Sequence, residues 1–286
     1  MPSVPAARSG PTPADLLATA VAAARAAVTV HVAHRGGVGQ GAWDRKHASD
    51  FVTFVDREAE QEVLRAIRAA HPHDDVLAEE GTAGTLLADA DAPDPHAALR
   101  AHPGPLWVID PLDGTTNYLH GYRAYAASVA VCFAGEPAAG AVIDGYTGEV
   151  WSASGGGGAS LDGRPLAVST IDSLDNALIG TGFPFKTPDR IGEQLRMLDA
   201  ALRHTSGVRR AGSAALDLCH VAAGYFDGFF ELELAPWDIA AGVLIVREAG
   251  GTITDLSDRV PVTGERGVLA GNGPIHRLLG ELMRSL

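Results

Sequence analysis

The chain has 286 residues, is 46% hydrophobic and 20% charged, and carries 22 Lys and Arg against 35 Asp and Glu, for a formal net charge of −13. That supports a substantial core in one large domain or two smaller ones, and argues against non-specific binding to nucleic acid or to an anionic membrane. An anionic substrate would need a positive supplement to this acidic field, and a metal ion is the obvious one.

Residues 1–12, rich in Pro, Ser and Ala, are expected to form a disordered tail. A helix follows from about 14 to 34. Its Leu16–Ala33 stretch is alanine-rich but carries Arg25 in the middle, which fits an amphipathic helix better than a signal peptide or membrane span. Residues 36–49 read as a polar loop. The spacing of Val55, Ala59, Val63, Ile67 and Ala70 predicts a helix over 53–70 that stops before Pro72. A strand at 75–78 runs into Glu79-Glu80-Gly81. Residues 82–104 are small, acidic and Pro-containing without a period, and are expected to be a mobile loop or lid. A strand at 106–109 comes next. Segments 124–134, 138–144 and 148–153 alternate with turn signals like an antiparallel meander, and the glycines of 155–158 suit a hairpin loop. Beyond them the pattern predicts strands at 177–181 and 227–232, and helices at 189–203, 212–223 and 237–249. Strands near 252–255 and 267–270 and a closing helix from about 275 complete the chain. Consecutive strands mixed with helices point to layered α+β rather than a βαβ winding.

Three acidic clusters stand at strand ends or helix starts: Glu79-Glu80, the pair Asp110 and Asp113 in "DPLDGTTN", and Asp238 in "APWDIAAG". Any one alone reads as a solvated acid or a helix cap. Together, at the edge of a core, they would repel one another and raise each other's pKa unless a cation neutralised them. Oxygen ligands of this kind suit Mg²⁺. Pro111 forces an extended exit from the strand and lets Asp110, Asp113 and the Leu112 carbonyl converge. Gly114 allows backbone to approach an anion closely, and Thr115 opens a helix whose free N–H groups bind phosphate. Metal ligands beside anion donors equip a site for two-metal hydrolysis of a phosphate ester.

With "AEEG" at 78–81, "DFVTFVDREAE" at 50–60, "GTGFPF" at 180–185 and "RRAGSAALDLCHVAAGYFDGFFE" at 209–231, the acidic motifs resemble the inositol monophosphatase family, in order and spacing over roughly residues 45 to 255. The resemblance implies the layered α-β-α-β-α sandwich of the sugar phosphatases, a single catalytic domain over 13–286, and usually a homodimer. It implies a cytoplasmic Mg²⁺-dependent phosphomonoesterase using two or three ions. Glu79, Asp110 and the Leu112 carbonyl would hold one metal, and Asp110, Asp113 and Asp238 another. Thr115 and Glu79 would orient the attacking water, with Asp56 hydrogen-bonded to Thr115. Gly114 and Thr115 would bind phosphate, while Gly212, Ser213, Ala214 and Glu231 would line the alcohol side with Asp113 and Asp238. Inositol 1-phosphate or a similar polyol phosphate is the expected substrate. Histidinol phosphate, fructose 1,6-bisphosphate and 3′-phosphoadenosine 5′-phosphate are the alternatives, and a regulatory partnership with the transcription machinery is the non-enzymatic one.

Other residues read more plainly. Cys132 and Cys219 sit in apolar runs, without metal-site spacing, as small core residues of a reducing compartment. The i, i+3 spacing of His31 and His34 allows a surface metal site, but solvated or capping histidines are the expectation. Arg209 and Arg210 are expected at the surface or an interface. Lys46 is the nearest match to the family's active-site lysine, one residue out of step, and its role stays open.

Overall fold

The period-two and period-3.6 runs sort into two sheets and three helical layers. The structure, a computed structural model, describes residues 11–36, 44–47, 50–86, 94–185, 187–258 and 266–286. Its elements in chain order are α1 (Pro13–His34), the hairpin β1 (Asp44–His47) and β2 (Asp50–Val52), α2 (Phe54–Ala70), β3 (Asp75–Ala78), α3 (Pro95–Ala101), β4 (Pro105–Asp113) and α4 (Thr115–Leu119). Next come β5 (Ala126–Phe133), β6 (Glu136–Asp144), β7 (Val150–Ser154), β8 (Gly158–Leu161), β9 (Arg164–Pro165), β10 (Leu178–Thr181), α5 (Ile191–His204), β11 (Gly207–Arg209) and α6 (Ala214–Ala222). The chain closes with β12 (Gly228–Glu231), α7 (Pro236–Glu248), β13 (Thr252–Thr254), β14 (Val268–Gly271) and α8 (Gly273–Arg284).

Strands β3 to β9 form a seven-stranded sheet in sequence order, antiparallel except for the parallel pair β3 and β4. The second sheet has the order β11-β10-β12-β14-β13, parallel on one side and antiparallel on the other. Alternation along each strand assigns its faces. On β4, Trp107 and Ile109 join Ala23 and Ala27 of α1 and Val63 of α2 in an outer core, while Leu106 and Val108 join Leu218 of α6 and Ile245 of α7. That inner core also holds Phe229 and Ala270 of the second sheet, so α6 and α7 lie between the sheets. Met197 and Ala201 of α5 and Leu279 of α8 cover the far face with Phe230 and Leu269. The result is the α-β-α-β-α sandwich.

By length and composition alone α1 could cross a bilayer. Here it buries Leu16, Ala20, Ala23, Ala24, Ala27, Val30 and His31 against the protein.

Several boundaries differ from expectation. Of the tail, residues 1–10 lie outside the described residues, but Thr12 is the N-cap of α1: its Oγ1 accepts from Asp15 N at 3.2 Å and its own N–H donates to Asp15 at 2.9 Å. The expected loop or lid over 82–104 contains α3. Asp94 caps this helix by accepting from Ala97 N, Pro95 supplies its first residue, and Leu99 is buried. Pro at the first helical position is compatible with a helix, so it was no breaker there. Residues 87–93 of that segment lie outside the described ones. The loop expected at 36–49 includes β1, on whose backbone Lys46 falls. The short edge strand β11 was not among the expected elements. Both cysteines are buried and free.

Candidate active site

The seven-stranded sheet delivers the acidic motif through a bulge. Asp110 continues the inner row of Leu106 and Val108, facing the layer that contains α6 and α7. Three residues further on, Asp113 would face the other way in a regular strand. Asp110 pairs with Ser128 but Asp113 with Ala126, so β4 carries one extra residue at this point. Such a bulge returns the side chain to the original face. The expected strand end after Ile109 is therefore corrected: the strand runs on through Asp113, and the bulge makes the two carboxylates converge.

Two contacts fix the bulge. The Leu112 amide donates to Asp110 Oδ1 at 2.9 Å. His31 Nε2 lies 2.8 Å from the Pro111 carbonyl oxygen, and the Tyr118 hydroxyl donates to the His31 carbonyl at 2.9 Å. His31 is fully buried, and burial holds its pKa down at about 4, so the ring is neutral and donates to Pro111. This overturns the surface reading of His31. His34 is half-buried and sits 3.1 Å from Glu58.

Gly114 then adopts φ +89°, and a Cβ there would stand 2.8 Å from the Ala124 carbonyl oxygen. Both the left-handed turn and the close approach call for glycine. The helix that follows, α4, has only five residues, so anion binding at this turn rests on individual N–H groups rather than on a macrodipole. Thr115 Oγ1 lies 3.0 Å from both Asp56 Oδ1 and the Leu112 carbonyl oxygen. Asp56 is held in turn by a capping box, accepting from Thr53 N at 2.8 Å and Thr53 Oγ1 at 2.5 Å.

A cleft of about 320 Å³ opens over these groups. Glu79, Asp110, Leu112, Asp113, Gly114, Thr115 and Asp238 line one end. Burial, then Glu79, Asp113 and Asp238, push the Asp110 carboxyl well above its ordinary range. Burial raises Asp113 to about 6, against the opposing hydrogen bonds from Ser213 Oγ at 2.6 Å and Ala215 N at 2.8 Å. Asp56 is also pushed up to about 6, chiefly by burial. Asp113 thus caps α6, and Asp238 accepts from Ala235 N at 2.7 Å at the start of its own helix. Each acid serves as a helix cap and as a wall of the cleft. Among the described residues no three ligating side chains are already closed into a coordination cluster. The donor chemistry nevertheless fits a hard divalent cation: four mutually repelling carboxylates and a backbone carbonyl at one end of a cleft, with no sulfur or imidazole among them.

The second sheet, the segments that leave it and α6 supply the other end: Gly212, Ala214, Glu231, Thr181, Gly182, Phe183, Phe185, Arg210 and Asp217. Ser213 is placed differently from the alcohol-side lining expected of it. It is fully buried, its hydroxyl donating to Asp113 and accepting from Leu216 N, so it holds Asp113 from behind. Arg210 lines the cleft and lies over the rings of Phe183 and Phe185, 5.5 and 4.9 Å from their centres, whereas Arg209 stays at the surface. Burial and then Asp238 raise the Glu231 pKa to about 8. Gly182 makes room for that carboxylate, since a Cβ there would lie 2.0 Å from Glu231 Oε1. Gln194 of α5 braces the same wall by donating to Thr181 Oγ1 at 2.9 Å and the Gly182 carbonyl at 2.8 Å. Asn117 ties the two ends together, donating to Ala124 O at 2.6 Å and Ala211 O at 2.9 Å.

Sequence reasoning missed Asp217, Asn117 and Gln194. The one available signal was an acid inside the apolar run "SAALDLC", four residues after the N-cap Ser213.

The model of a family described as the inositol monophosphatase family matches residues 13–286. The chain is 42% identical over 231 residues to the Nus factor SuhB of Pseudomonas aeruginosa, covering 80% of this chain and 81% of that one. Its fold is similar to the crystal structure of the extragenic suppressor protein SuhB from Bartonella henselae, with a TM-score of 0.83 and 34% identity over 93% of this chain and 97% of the other. The inositol monophosphatase from Anabaena aligns with a TM-score of 0.78 and 35% identity over 94% and 95%.

Proposed function

Because the chain belongs to the inositol monophosphatase family, we propose that residues 13–286 act as one catalytic unit: a Mg²⁺-dependent phosphomonoesterase, working as a homodimer, that hydrolyses inositol 1-phosphate or a similar small polyol phosphate. The observation that carries this reading is the convergence of Glu79, Asp110, Asp113 and Asp238 on one cleft that Glu231 also lines. Glu79, Asp110, the Leu112 carbonyl, Asp113 and Asp238 would hold two ions, with a third near Glu79. When bound, Mg²⁺ neutralises these acids and supplies positive charge against the phosphoryl oxygens and the leaving alcohol.

The chain's own groups do the rest. The Thr115 hydroxyl has one proton to give and two lone pairs. Donating it to Asp56 keeps the Leu112 carbonyl free as a ligand and leaves the Thr115 oxygen to accept from a water. With Glu79 accepting that water's second proton in a hydrogen bond, the water's lone pair is aimed at phosphorus. The N–H groups of Gly114 and Thr115 hold the phosphoryl oxygens, and Glu231 accepts from a hydroxyl of the alcohol.

A phosphate-release panel with Mg²⁺ tests the reading over inositol 1-phosphate, histidinol phosphate, fructose 1,6-bisphosphate, 3′-phosphoadenosine 5′-phosphate and NADP. Release from the polyol ester first is expected. Silence on all five, with Mg²⁺ binding demonstrated, would refute it. The similarity to a protein named a Nus factor favours a second reading, a regulatory role alongside catalysis. If Asp110→Asn abolishes phosphate release but preserves the cellular phenotype, that role is separate from catalysis.

A further inference from the structure

We propose that Asp217 is a second acceptor for the substrate's alcohol, so that the far end of the cleft grips two hydroxyls of a neutral polyol, one on Glu231 and one on Asp217. This rests on the phosphomonoesterase reading and names the alcohol that the cleft selects.

Asp217 lies on α6, is 1% exposed, and belongs to the cleft wall. Its neighbours in the helix, Leu216 and Leu218, are buried in the inner core. Its Oδ1 has no hydrogen-bond partner among the described residues. Three other acids of the cleft are put to structural use: Asp110 accepts from Leu112, Asp113 from Ser213 and Ala215, Asp238 from Ala235. A buried acceptor left without a donor is costly, and a ligand hydroxyl relieves that cost.

The hydrogen-bonding capacity of the lining decides which part of the substrate lies here. Glu231 and Asp217 feel each other, and Arg210 opposes the effect on both. Arg210 is itself stacked on Phe183 and Phe185. Two buried carboxyls, with their acceptor oxygens, match hydroxyl donors better than a phosphate, which brings acceptors only. The N–H groups of Gly114 and Thr115, by contrast, match phosphoryl oxygens, and the acids beside them would hold the cation. A polyol phosphate placed with its phosphate against Gly114 and Thr115 can therefore offer its hydroxyls to Glu231 and Asp217.

The test compares Asp217→Leu, which keeps volume but removes both acceptors, and Asp217→Asn, which keeps one. With Mg²⁺ present, Asp217→Leu is expected to raise KM for inositol 1-phosphate about tenfold at nearly unchanged kcat. It should leave p-nitrophenyl phosphate, whose alcohol bears no further hydroxyl, unaffected. Asp217→Asn should fall between, and it serves alone if the leucine variant does not fold. Thermal shift supplies a readout independent of turnover: inositol 1-phosphate should raise the melting temperature of the parent protein clearly more than that of Asp217→Leu, while inorganic phosphate raises both equally. No release from any ester by the parent protein would sink the phosphatase reading while the thermal shifts still judge Asp217. Equal effects on both esters, or equal thermal shifts with inositol 1-phosphate, would overturn the proposal. So would a larger effect on histidinol phosphate, which would make the occupant an ammonium rather than a hydroxyl.

Discussion

The end of the cleft proposed to hold metal draws most of its groups from one stretch of chain, Asp110 to Thr115, whereas the end proposed to hold the alcohol draws Gly182, Arg210, Asp217 and Glu231 from four separate places around the second sheet. At the first end a β-bulge converts sequence spacing directly into geometry. At the second, geometry depends on how β10, β12 and α6 pack, and on the missing side chain at Gly182. On the proposed reading, local chemistry is fixed by a motif, and substrate choice by tertiary structure. Changes at the first end should abolish turnover on every phosphate ester, while changes at the second should redistribute it.

The largest expected effect is at the bulge. Asp110→Asn should cost on the order of 10³ in kcat/KM on polyol and non-polyol esters alike. A loss confined to polyol esters would erase the distinction between the ends. Next is Asp56→Asn, one bond back from Thr115. Steady-state kinetics should show kcat falling roughly 10- to 100-fold with KM little changed. Smaller still is Gly182→Ala, whose methyl would stand 2.0 Å from Glu231 Oε1. Displacing that carboxylate should raise KM for inositol 1-phosphate about tenfold, with p-nitrophenyl phosphate untouched; equal losses on both esters would place Glu231 in the chemistry itself.

The smallest effect is on stability, and its sign follows from the buried acids. Their folded pKa values lie above the unfolded ones, Asp113 at about 6 against 3.8 and Glu231 at about 8 against 4.5. Between those limits the folded state holds more protons, so the metal-free protein loses stability as pH rises from about 4 to about 8. Melting curves in chelator should descend across that window. Mg²⁺ should raise the melting temperature more at pH 8 than at pH 5, and Glu231→Gln should flatten the upper part of the descent. A metal-free protein that grows more stable toward pH 8 would contradict the burial of these acids.

The same contrast explains what could be read from sequence. The strands and helices with clear periods stand within a few residues of their expected places, because each buries one regular face. Asp110 and Asp113 were legible because "DPLDGTTN" is contiguous, although the bulge that aims Asp113 is visible only in its pairing with Ala126. His31 was misread: its environment comes from Pro111, Tyr118 and Tyr125, some 80 or more residues away. Asp217 was missed because an acid on an apolar helix gives no local hint of which face it occupies. α3 was missed because seven residues give too short a period to detect.

The most direct test of the central claim is phosphate release from inositol 1-phosphate, measured as Mg²⁺ is titrated into chelator-treated protein and into Asp110→Asn. Release should rise from zero with Mg²⁺ in the parent protein and stay at background in the variant. Release that ignores chelation, or that survives in Asp110→Asn, would contradict the account.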